Sequence, residues 1–275
     1  MRVAIQGELG SFSHEAALTL IPQATVAPCR TAGDVLRELD CSEVEAAVIP
    51  VENSLAGSVI DFYDLFFEHE FAIVSELQMR IRHNLIATPG TRLESVRHVL
   101  SHPVALAQCK EFFAAHPRLK ATSYYDTAGS VQHVLAEGKT ELAAIGSKQA
   151  AVQYGGDILL AGIEDHAESF TRFWLIRRRS SIPVAIQPTK LSLVFSLENR
   201  PGALLEALGV FATRQLNLTK IESRPITGRP WEYMFYADVT LPANADADTV
   251  LGALKEICPL VKELGRYSAV NHASN

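Results

Sequence analysis

Apolar and polar positions along the first 178 residues predict short strands that alternate with amphipathic helices. Short apolar runs are separated by segments whose apolar positions recur at helical spacing. The predicted strands are residues 2–6, 45–50, 71–87, 96–101, 121–125, 142–145, 157–162 and 170–178, and the predicted helices are residues 12–20, 33–39, 56–67, 103–115, 127–136 and 147–153. This alternation is typical of an α/β domain with a largely parallel sheet.

The pattern changes after residue 178. Residues 179–189 contain two prolines and two serines without a clear period, which predicts a linker. Residues 190–268 then follow the order strand, helix, strand, strand, helix, strand. This βαββαβ order is the ferredoxin-like arrangement. We therefore predict an α/β domain over residues 1–178 and a smaller ferredoxin-like domain over residues 190–268.

Composition narrows the possible partners. The 275 residues are 48% hydrophobic and 20% charged, with a net charge of -6, so no basic field favours nucleic acid. No apolar run approaches the roughly 20 residues that a membrane-spanning helix needs. The four cysteines are scattered without a CxxC pair, and the N-terminus lacks a signal-peptide pattern, so we expect a cytoplasmic protein. The nine histidines form no HExxH motif, and we expect no metal site.

Small or polar residues mark five of the predicted strand-to-helix junctions. The junctions are Gly7–Ser13, Glu52–Gly57, Ser101–Pro103, Asp126–Ser130 and Gly146–Ser147. In a parallel sheet these junctions lie at the carboxyl ends of the strands, where helix N-termini favour anions. Helix capping is the simpler explanation of any single junction. The repetition instead favours a cleft for a small molecule that carries carboxylates.

Two stretches contain more polar groups than capping requires. Residues 52–54 place Glu, Asn and Ser after an apolar strand, so we expect Asn53 or Ser54 to cap the next helix, with Glu52 and Asn53 facing the cleft. Thr171-Arg172-Phe173 lies within a strand of apolar residues, where Arg172 must pair with an anion. Strand alternation places Thr171 and Phe173 on one face and Arg172 on the other. The alternative is that Arg172 has no functional role and forms an internal salt bridge with Glu164 or Asp165.

Six ordered motifs together resemble the prephenate dehydratase family over nearly the whole chain. They are Gly7–Ala17, Pro50–Val59, Ser101–Cys109, Asp126–Ser130, Ala144–Ser147 and Thr171–Phe173. The second domain resembles an ACT regulatory domain, with the motifs PGALL at 201–205 and ESRP at 222–225. Val104 departs from the family pattern, which usually has Gln there, and this puts a polar role at that position in doubt.

The resemblance implies an enzyme that converts prephenate into phenylpyruvate, carbon dioxide and water. Aromatisation of the ring drives this reaction, so the resemblance implies no cofactor. It also implies two α/β lobes like those of a periplasmic binding protein, with the active site in the cleft. We place the first lobe at residues 1–77 with 158–178, and the second at residues 78–157.

The family motifs imply two sets of site residues. The catalytic set is Thr171, Glu52, Asn53 and Gln108, and the substrate-binding set is Ser101, Arg172, Phe173, Ser11 and Thr127. We expect the Thr171 hydroxyl to donate to the departing hydroxyl group of the substrate. Glu52 can act as an acid only if burial raises its pKa, and otherwise it orients its neighbours. Arg172 binds a substrate carboxylate or holds the site together, and strand alternation favours the second role.

The ACT resemblance implies feedback inhibition by L-phenylalanine, bound between ACT domains of a homodimer or a dimer of dimers. The effector residues it implies are Asn199, Pro201, Gly202, Ala203, Leu204, Glu222, Ser223 and Arg224. Considered alone, residues 199–202 are better explained as a tight turn before a helix with Pro201 at its first position. Residues 222–225 alone suit an edge strand protected by charge and proline.

Two other functions remain open from the sequence. Arogenate carries an ammonium group where prephenate carries a keto group, so a carboxylate beside that group would favour arogenate as the substrate. A non-catalytic amino-acid sensor would combine the same cleft with an ACT domain. The joint presence of Thr171, Glu52, Asn53 and Gln108 argues against the sensor, because binding alone does not require all four.

Overall fold

The chain divides into a first unit of residues 1–69 and 77–175 and a second unit of residues 70–76 and 176–270. The structure is a computed structural model that describes residues 1–182, 187–226, 228, 231–243 and 245–271, apart from the side chains of residues 60, 61, 64, 68 and 271. Among these described residues, none of the helices has both the length and the apolar character needed to cross a bilayer.

The first unit alternates strands and helices along the chain. Its elements are β1 (Arg2–Gln6), α1 (Phe12–Leu20), β2 (Thr25–Cys29), α2 (Ala32–Asp40), β3 (Ala46–Asn53), β4 (Gly57–Ser58), α3 (Ile60–Glu68), β5 (Phe71–Arg80), β6 (Asn84–Ala87), β7 (His98–Ser101), α4 (Pro103–Ala107), α5 (Lys110–Ala115), β8 (Lys120–Ser123), α6 (Thr127–Glu137), β9 (Leu142–Gly146), α7 (Lys148–Tyr154), β10 (Asp157–Ala161) and β11 (Phe170–Arg178). Residues 71–76 of β5 and residues 176–178 of β11 belong to the second unit.

Two sheets give the first unit its two lobes, as the resemblance implied. The first lobe has the strand order β11-β3-β1-β2, with β1 parallel to both β2 and β3. The second lobe has the order β10-β6-β9-β7-β8, with β7 parallel to β8 and β9, while β6 is antiparallel to β9 and β10. Residues of β6 alternate between two apolar clusters: Leu85 packs in one and Ile86 in the other. Each face of this sheet therefore carries its own core.

One strand of the first lobe was missing from the sequence prediction. Thr25–Cys29 forms β2 at the end of the strand order. Pro28 interrupts its pattern, and proline is tolerated at such an edge because it has no N–H to donate to a further strand.

The helix predicted at residues 56–67 begins later than expected. Asn53 Oδ1 accepts from the backbone N–H groups of Leu55 and Ala56, both at 2.9 Å, and the chain turns back as β4 beside β3. The helix α3 then starts after Val59, which provides no side-chain cap. The prediction that Asn53 or Ser54 caps this helix is therefore wrong, because their polar groups stabilise the preceding turn and the neighbouring strand.

The helix predicted at residues 103–115 is two helices, α4 and α5, separated at Gln108 and Cys109. The Asp165 carboxylate accepts from the backbone N–H groups of Lys110 and Glu111, both at 2.9 Å, and so caps a new helix start. The backbone N–H of Asp165 also donates to the Gln108 carbonyl at 2.7 Å. Asp165, distant in the chain, therefore separates α4 from α5, and Gln108 directly follows the last residue of α4.

Close packing joins the loop before α1 to the helix α7. A Cβ on Gly10 would lie 2.8 Å from the Ala150 Cα, and the φ angle of Gly10 is +86°. Ser147 Oγ donates to the Gly10 carbonyl at 2.5 Å, and the Tyr154 hydroxyl donates to the Leu9 carbonyl at 2.7 Å. A glycine is thus required where the two lobes meet.

The second unit contains the predicted βαββαβ order. Its elements are β12 (Lys190–Ser196), α8 (Ala203–Thr213), β13 (Leu218–Pro225), β14 (Tyr233–Thr240), α9 (Ala247–Ile257) and β15 (Leu260–Asn271). The strand order is β13-β14-β12-β15, and all three pairings are antiparallel. Of the predicted linker, residues 179–181 form a turn of 3-10 helix, and residues 183–186 lie outside the described residues.

The second unit contains a buried carboxylate, Glu76, that contacts Lys190 and Tyr267. Lys190 Nζ lies 2.7 Å from Glu76 Oε1, and the Tyr267 hydroxyl donates to Glu76 Oε2 at 3.2 Å. The Glu76 side chain is fully buried, and this cation and this hydroxyl help to compensate for its removal from water.

Candidate active site

A cavity of about 910 Å³ lies between the two lobes of the first unit. Four of the five predicted junctions contribute to its lining, through Gly7, Ser11, Asn53, His102, Asp126 and Thr127. The fifth junction, Gly146–Ser147, does not, because Ser147 caps α7 and bonds to the Gly10 carbonyl. The cavity has the size of a site for a small organic molecule.

Asn53 and Thr171 form a hydrogen-bonded pair in this cavity. Asn53 Oδ1 is occupied by the backbone of Leu55 and Ala56, which fixes the orientation of the amide. Asn53 Nδ2 therefore points to Thr171 Oγ1 and donates to it at 3.0 Å. Because the hydroxyl oxygen accepts this bond, its own proton is left to donate to a molecule in the cavity.

The opposite face of the same strands carries an ion pair. Arg172 Nε lies 3.2 Å from Glu52 Oε2, and the Arg172 side chain is only 10% exposed. Neither residue belongs to the cavity lining, whereas Asn53, Thr171 and Phe173 do. Strand alternation thus separates a cavity face from a face that holds β3 against β11.

Gln108 faces the cavity from the break between α4 and α5. Its side-chain Oε1 lies 2.9 Å from Nε2 of His83, a residue that is 3% exposed and also lines the cavity. Burial lowers the pKa of His83 below its ordinary value, so the imidazole is neutral near pH 7. The Phe12 ring packs edge-on against the imidazole, with ring centroids 5.6 Å apart.

Two helix starts face the cavity from opposite lobes. Ser11 Oγ accepts from the His14 N–H at the start of α1 at 3.3 Å, and Asp126 Oδ1 accepts from the Gly129 N–H at the start of α6 at 2.7 Å. Thr127 is the first residue of α6. The positive ends of both helices make this cavity favourable for an anion.

Charged side chains of both signs complete the lining. Arg30 is exposed at the cavity wall and offers a cation, and Glu8 offers a carboxylate. The Tyr125 hydroxyl approaches Glu8 Oε1 at 3.4 Å. Burial and the nearby Glu8 raise the pKa of Tyr125. Among the described residues, no three His, Cys, Asp or Glu side chains gather as a metal site would require.

The chain matches known proteins along almost its whole length. The prephenate dehydratase family model matches residues 3–181, and the ACT domain model matches residues 191–258. The chain belongs to the prephenate dehydratase family. Arogenate dehydratase/prephenate dehydratase 2 of Arabidopsis thaliana is 38% identical over 97% of this chain and 72% of its own length.

Solved structures similar to this member of the prephenate dehydratase family include two of about one-third sequence identity. A prephenate dehydratase from Arthrobacter aurescens in complex with L-Phe is 32% identical, with a TM-score of 0.86 over 98% of this chain and 90% of its own. GqqA, described as a novel type of quorum quenching acylase, is 33% identical, with a TM-score of 0.90 over 98% of both chains.

The structure brings most of the predicted dehydratase residues to one cavity. Asn53, Gln108, Thr171, Phe173, Ser11 and Thr127 line it, together with Val104, the departure from the family pattern. Glu52 and Arg172 instead pair with each other, which differs from the alternative partners Glu164 and Asp165. Ser101 is fully buried and donates to the Ile145 carbonyl at 2.9 Å, so its hydroxyl is occupied within the second lobe.

Sequence reasoning missed three cavity residues of chemical interest: Glu8, Arg30 and His83. Glu8 lies inside the predicted junction Gly7–Ser13, and its charge was the available signal. Arg30 follows β2, the strand that was not predicted. His83 lies within the strand predicted at residues 71–87. The structure instead ends β5 at Arg80 and begins β6 at Asn84, so His83 lies between two strands.

The predicted effector loop of the ACT domain forms the start of α8. Gly202 has a φ angle of +84° and is the residue before the helix, so Pro201 is not its first residue. The prediction of a helix that begins at Pro201 is therefore wrong by two positions. Arg200 forms a bidentate ion pair with Glu206: its Nη1 donates to Oε1 at 2.8 Å and its Nη2 to Oε2 at 2.5 Å. Glu222, Ser223 and Arg224 lie on β13, at the end of the strand order of this unit.

Proposed function

We propose that this protein catalyses the decarboxylating dehydration of prephenate to phenylpyruvate in L-phenylalanine biosynthesis. The observation that carries the proposal is the Asn53–Thr171 pair, which leaves one hydroxyl proton available inside an anion-favouring cavity. Prephenate is a dianion, which suits two helix N-termini and the Arg30 cation.

The reaction needs a donor where the hydroxyl group leaves. The ring carboxylate departs as carbon dioxide, and its bonding electrons complete the aromatic ring. The ring hydroxyl leaves with the electron pair of its carbon–oxygen bond and takes up one proton to become water. The Thr171 hydroxyl donates a hydrogen bond to that departing oxygen, while Asn53 supports the Thr171 oxygen. Threonine is a weak acid, so solvent supplies the net proton.

Other cavity residues hold the substrate in place for this step. Gln108 offers amide donors to an oxygen of the substrate, and Phe173 packs beside the ring. Ser11 and Thr127 lie at the two helix starts that face its carboxylates. Glu52 and Arg172 keep β3 and β11 in register from the opposite face, and so position Asn53 and Thr171.

The test is a comparison of products from the purified protein. We expect prephenate to yield phenylpyruvate, followed by its absorbance in alkali. Saturable formation of phenylpyruvate that stops in the Thr171→Val variant supports the proposal. Prephenate that binds and is recovered unchanged overturns it in favour of a non-catalytic sensor.

Arogenate is the second candidate substrate, because the cavity contains a carboxylate. Glu8 lies in the lining, where it can accept from the ammonium group of arogenate. Three relatives from Arabidopsis thaliana, at 38%, 38% and 36% identity, are named arogenate dehydratase/prephenate dehydratase. Prephenate carries a keto group at that position and offers Glu8 no cation, so this residue would favour arogenate.

Measurement of kcat/KM for both substrates in wild-type protein and Glu8→Gln tests this second candidate. If Glu8 binds the ammonium group, the substitution lowers kcat/KM for arogenate and leaves that for prephenate equal or higher. An equal change for both substrates would rule out Glu8 as a specificity residue.

We further propose that L-phenylalanine inhibits the enzyme by binding its ACT domain. The similar Arthrobacter aurescens prephenate dehydratase was solved with L-Phe. In this chain the left-handed Gly202 exposes the start of α8, which lacks a side-chain cap and can accept a carboxylate. Inhibition by phenylalanine that Gly202→Val relieves supports the site, whereas equal inhibition of both proteins contradicts it.

Assembly through the ACT domain as a homodimer or a dimer of dimers is part of the same proposal. Apolar side chains are exposed around α8, β13 and β14, namely Leu204, Leu205, Ile221, Trp231 and Tyr233. Light scattering should give a mass of two or four times 30.1 kDa, and Ile221→Glu should reduce it. A wild-type mass of one chain would contradict the proposal.

We also propose that the protein works in the cytoplasm. All four cysteines are free thiols, and Cys109 and Cys258 are buried, which is usual in a reducing compartment. Fractionation of the source cells with an antibody to the chain tests this, and recovery from any other compartment contradicts it.

A further inference from the structure

His83 is a buried imidazole at the wall of the active-site cavity that the reaction scheme does not yet use. It lies between β5 and β6 and is 3% exposed. Its Nε2 lies 2.9 Å from Gln108 Oε1. Gln108 and His83 are 25 residues apart in the chain, so the fold has to bring them together.

One short segment fixes the backbone of both residues. The Ile163 N–H donates to the His83 carbonyl at 3.0 Å, and the Asp165 N–H donates to the Gln108 carbonyl at 2.7 Å. Between them, Glu164 Oε2 accepts from the His83 N–H at 2.9 Å, and the Glu164 side chain is only 4% exposed. Residues 163–165 thus hold the imidazole and the amide at a set separation.

The hydrogen-bonding partners determine which nitrogen of His83 carries the proton. An amide oxygen only accepts, so the nitrogen that faces Gln108 Oε1 must be Nε2–H. His83 Nδ1 is buried and has no hydrogen-bond partner among the described residues. A proton on Nδ1 would leave a buried donor unpaired, whereas a lone pair there costs less. Burial also lowers the pKa of His83, in agreement with a neutral ring.

This proton assignment determines what Gln108 presents to the substrate. Once Oε1 accepts from His83, the amide NH2 is the part that is free to face the cavity. If the amide turned over, its oxygen would face the substrate and repel a carboxylate or a departing hydroxide. The orientation of one amide therefore decides whether Gln108 attracts or repels an anion.

We propose that His83 is a positioning residue for Gln108: its Nε2–H group donates to Gln108 Oε1 and so directs the Gln108 amide NH2 at the anionic substrate. This inference rests on the proposed dehydratase function. His83 does not touch the reacting atoms in this scheme, because it acts through the amide of Gln108.

Two substitutions of His83 separate the hydrogen bond from the packing. His83→Phe keeps a planar ring without a donor, whereas His83→Gln restores an N–H group close to the position of Nε2. We expect His83→Phe to lower kcat/KM for prephenate by about 10- to 100-fold. This is the effect of losing one hydrogen bond from the Gln108 amide to the charged substrate. His83→Gln should recover most of that loss. Equal losses in both variants would overturn the proposal.

A double-mutant cycle shows whether His83 acts through Gln108. In a Gln108→Leu background, His83→Phe should change kcat/KM by less than about 3-fold, because no amide remains to be oriented. A full additional loss in that background would assign His83 a separate or purely structural role. His116→Phe is the matched control, since His116 Nδ1 bonds to the Phe112 carbonyl at 2.9 Å and does not line the cavity. Its activity should equal that of the wild type.

A spectroscopic measurement keeps this inference separate from the proposed reaction. In protein with ¹⁵N-labelled histidine, His83 should show the neutral tautomer with the proton on Nε2, and Gln108→Leu should shift that Nε2–H signal. A proton on Nδ1 overturns the inference, even if the enzyme is fully active. Absence of prephenate turnover in the wild type overturns the proposed function and leaves the tautomer to be measured by itself.

Discussion

Two hydrogen-bonded pairs of side chains line the cavity, and the amide group has opposite roles in them. In the first pair an amide donates to a hydroxyl, from Asn53 Nδ2 to Thr171 Oγ1 at 3.0 Å. In the second pair an amide accepts, from His83 Nε2 to Gln108 Oε1 at 2.9 Å. In both, the residue behind the site occupies the acceptor of the residue in front.

Both pairs form a site for an anion from neutral groups. Asparagine, threonine, glutamine and histidine all contain both a donor and an acceptor when neutral. A second residue that bonds to the acceptor leaves only the donor for the substrate. The same amide group thus serves as the supporting residue in one pair and as the substrate-facing residue in the other.

Removal of the Thr171 hydroxyl should have the largest effect. Thr171→Val keeps the shape of the side chain and removes the donor, so we expect kcat for prephenate to fall by about 10²–10⁴-fold. Circular dichroism and the midpoint of urea unfolding should match the wild type. Thr171→Ser is the control and should keep a measurable part of the activity. Activity of Thr171→Val near that of the wild type would remove the hydroxyl from the mechanism.

Reversal of the first pair should have the next largest effect. In Asn53→Asp, a carboxylate can still accept from Leu55 and Ala56, but it also accepts the Thr171 proton and withdraws it from the substrate. We expect kcat to fall by about 10²–10³-fold with little loss of stability.

The double variant Asn53→Asp with Thr171→Val separates this effect from simple charge repulsion. If Asn53 acts through Thr171, the double variant should be no slower than Thr171→Val alone. Losses that multiply would show that the added negative charge acts on the substrate directly.

Disruption of the ion pair behind the site should affect stability more than chemistry. Glu52→Gln removes a carboxylate that pairs with the nearly buried Arg172, which should lower the free energy of unfolding by about 1–3 kcal/mol. We expect kcat to change by less than about 10-fold. A loss of kcat as large as that of Thr171→Val, with unchanged stability, would instead make Glu52 a catalytic acid.

The smallest predicted effect is a pH dependence of stability. Burial lowers the pKa of His14 and of His83 below the ordinary value of 6.5. As the pH falls through about 6.5, the unfolded chain binds protons that the folded chain does not, so the free energy of unfolding decreases. Stability should therefore decline from about pH 7 toward pH 5 in urea titrations, and less so in His83→Gln. An identical decline in both proteins would contradict the contribution of His83.

The sequence was sufficient for the elements with regular patterns. Strand β1 and helix α1 lie where the apolar periodicity predicts them, at Arg2–Gln6 and Phe12–Leu20. Asp126 directly precedes the helix predicted at residues 127–136 and caps α6, because its Oδ1 accepts from the Gly129 N–H at 2.7 Å. Local chemistry determines each of these features, so a single sequence contains the necessary information.

The errors occur where residues far apart in the chain determine local structure. Asp165 ends one helix and starts another at Gln108, although no residue between 103 and 115 predicts the break. In the same way, His83 has a role only beside Gln108, and the pattern around it reads as an ordinary strand. Tertiary contacts thus explain both the helix boundary that was predicted wrongly and the site residue that was not predicted.

The proposed reaction can be tested in a single turnover with enzyme in excess over prephenate labelled with ¹³C in its ring carboxylate. We expect one equivalent of phenylpyruvate and one of labelled carbon dioxide, released together. Their formation should slow by about 10²–10⁴-fold in Thr171→Val, which still binds the substrate. Recovery of intact prephenate from the wild-type protein would contradict the account and leave the cavity as a binding site without chemistry.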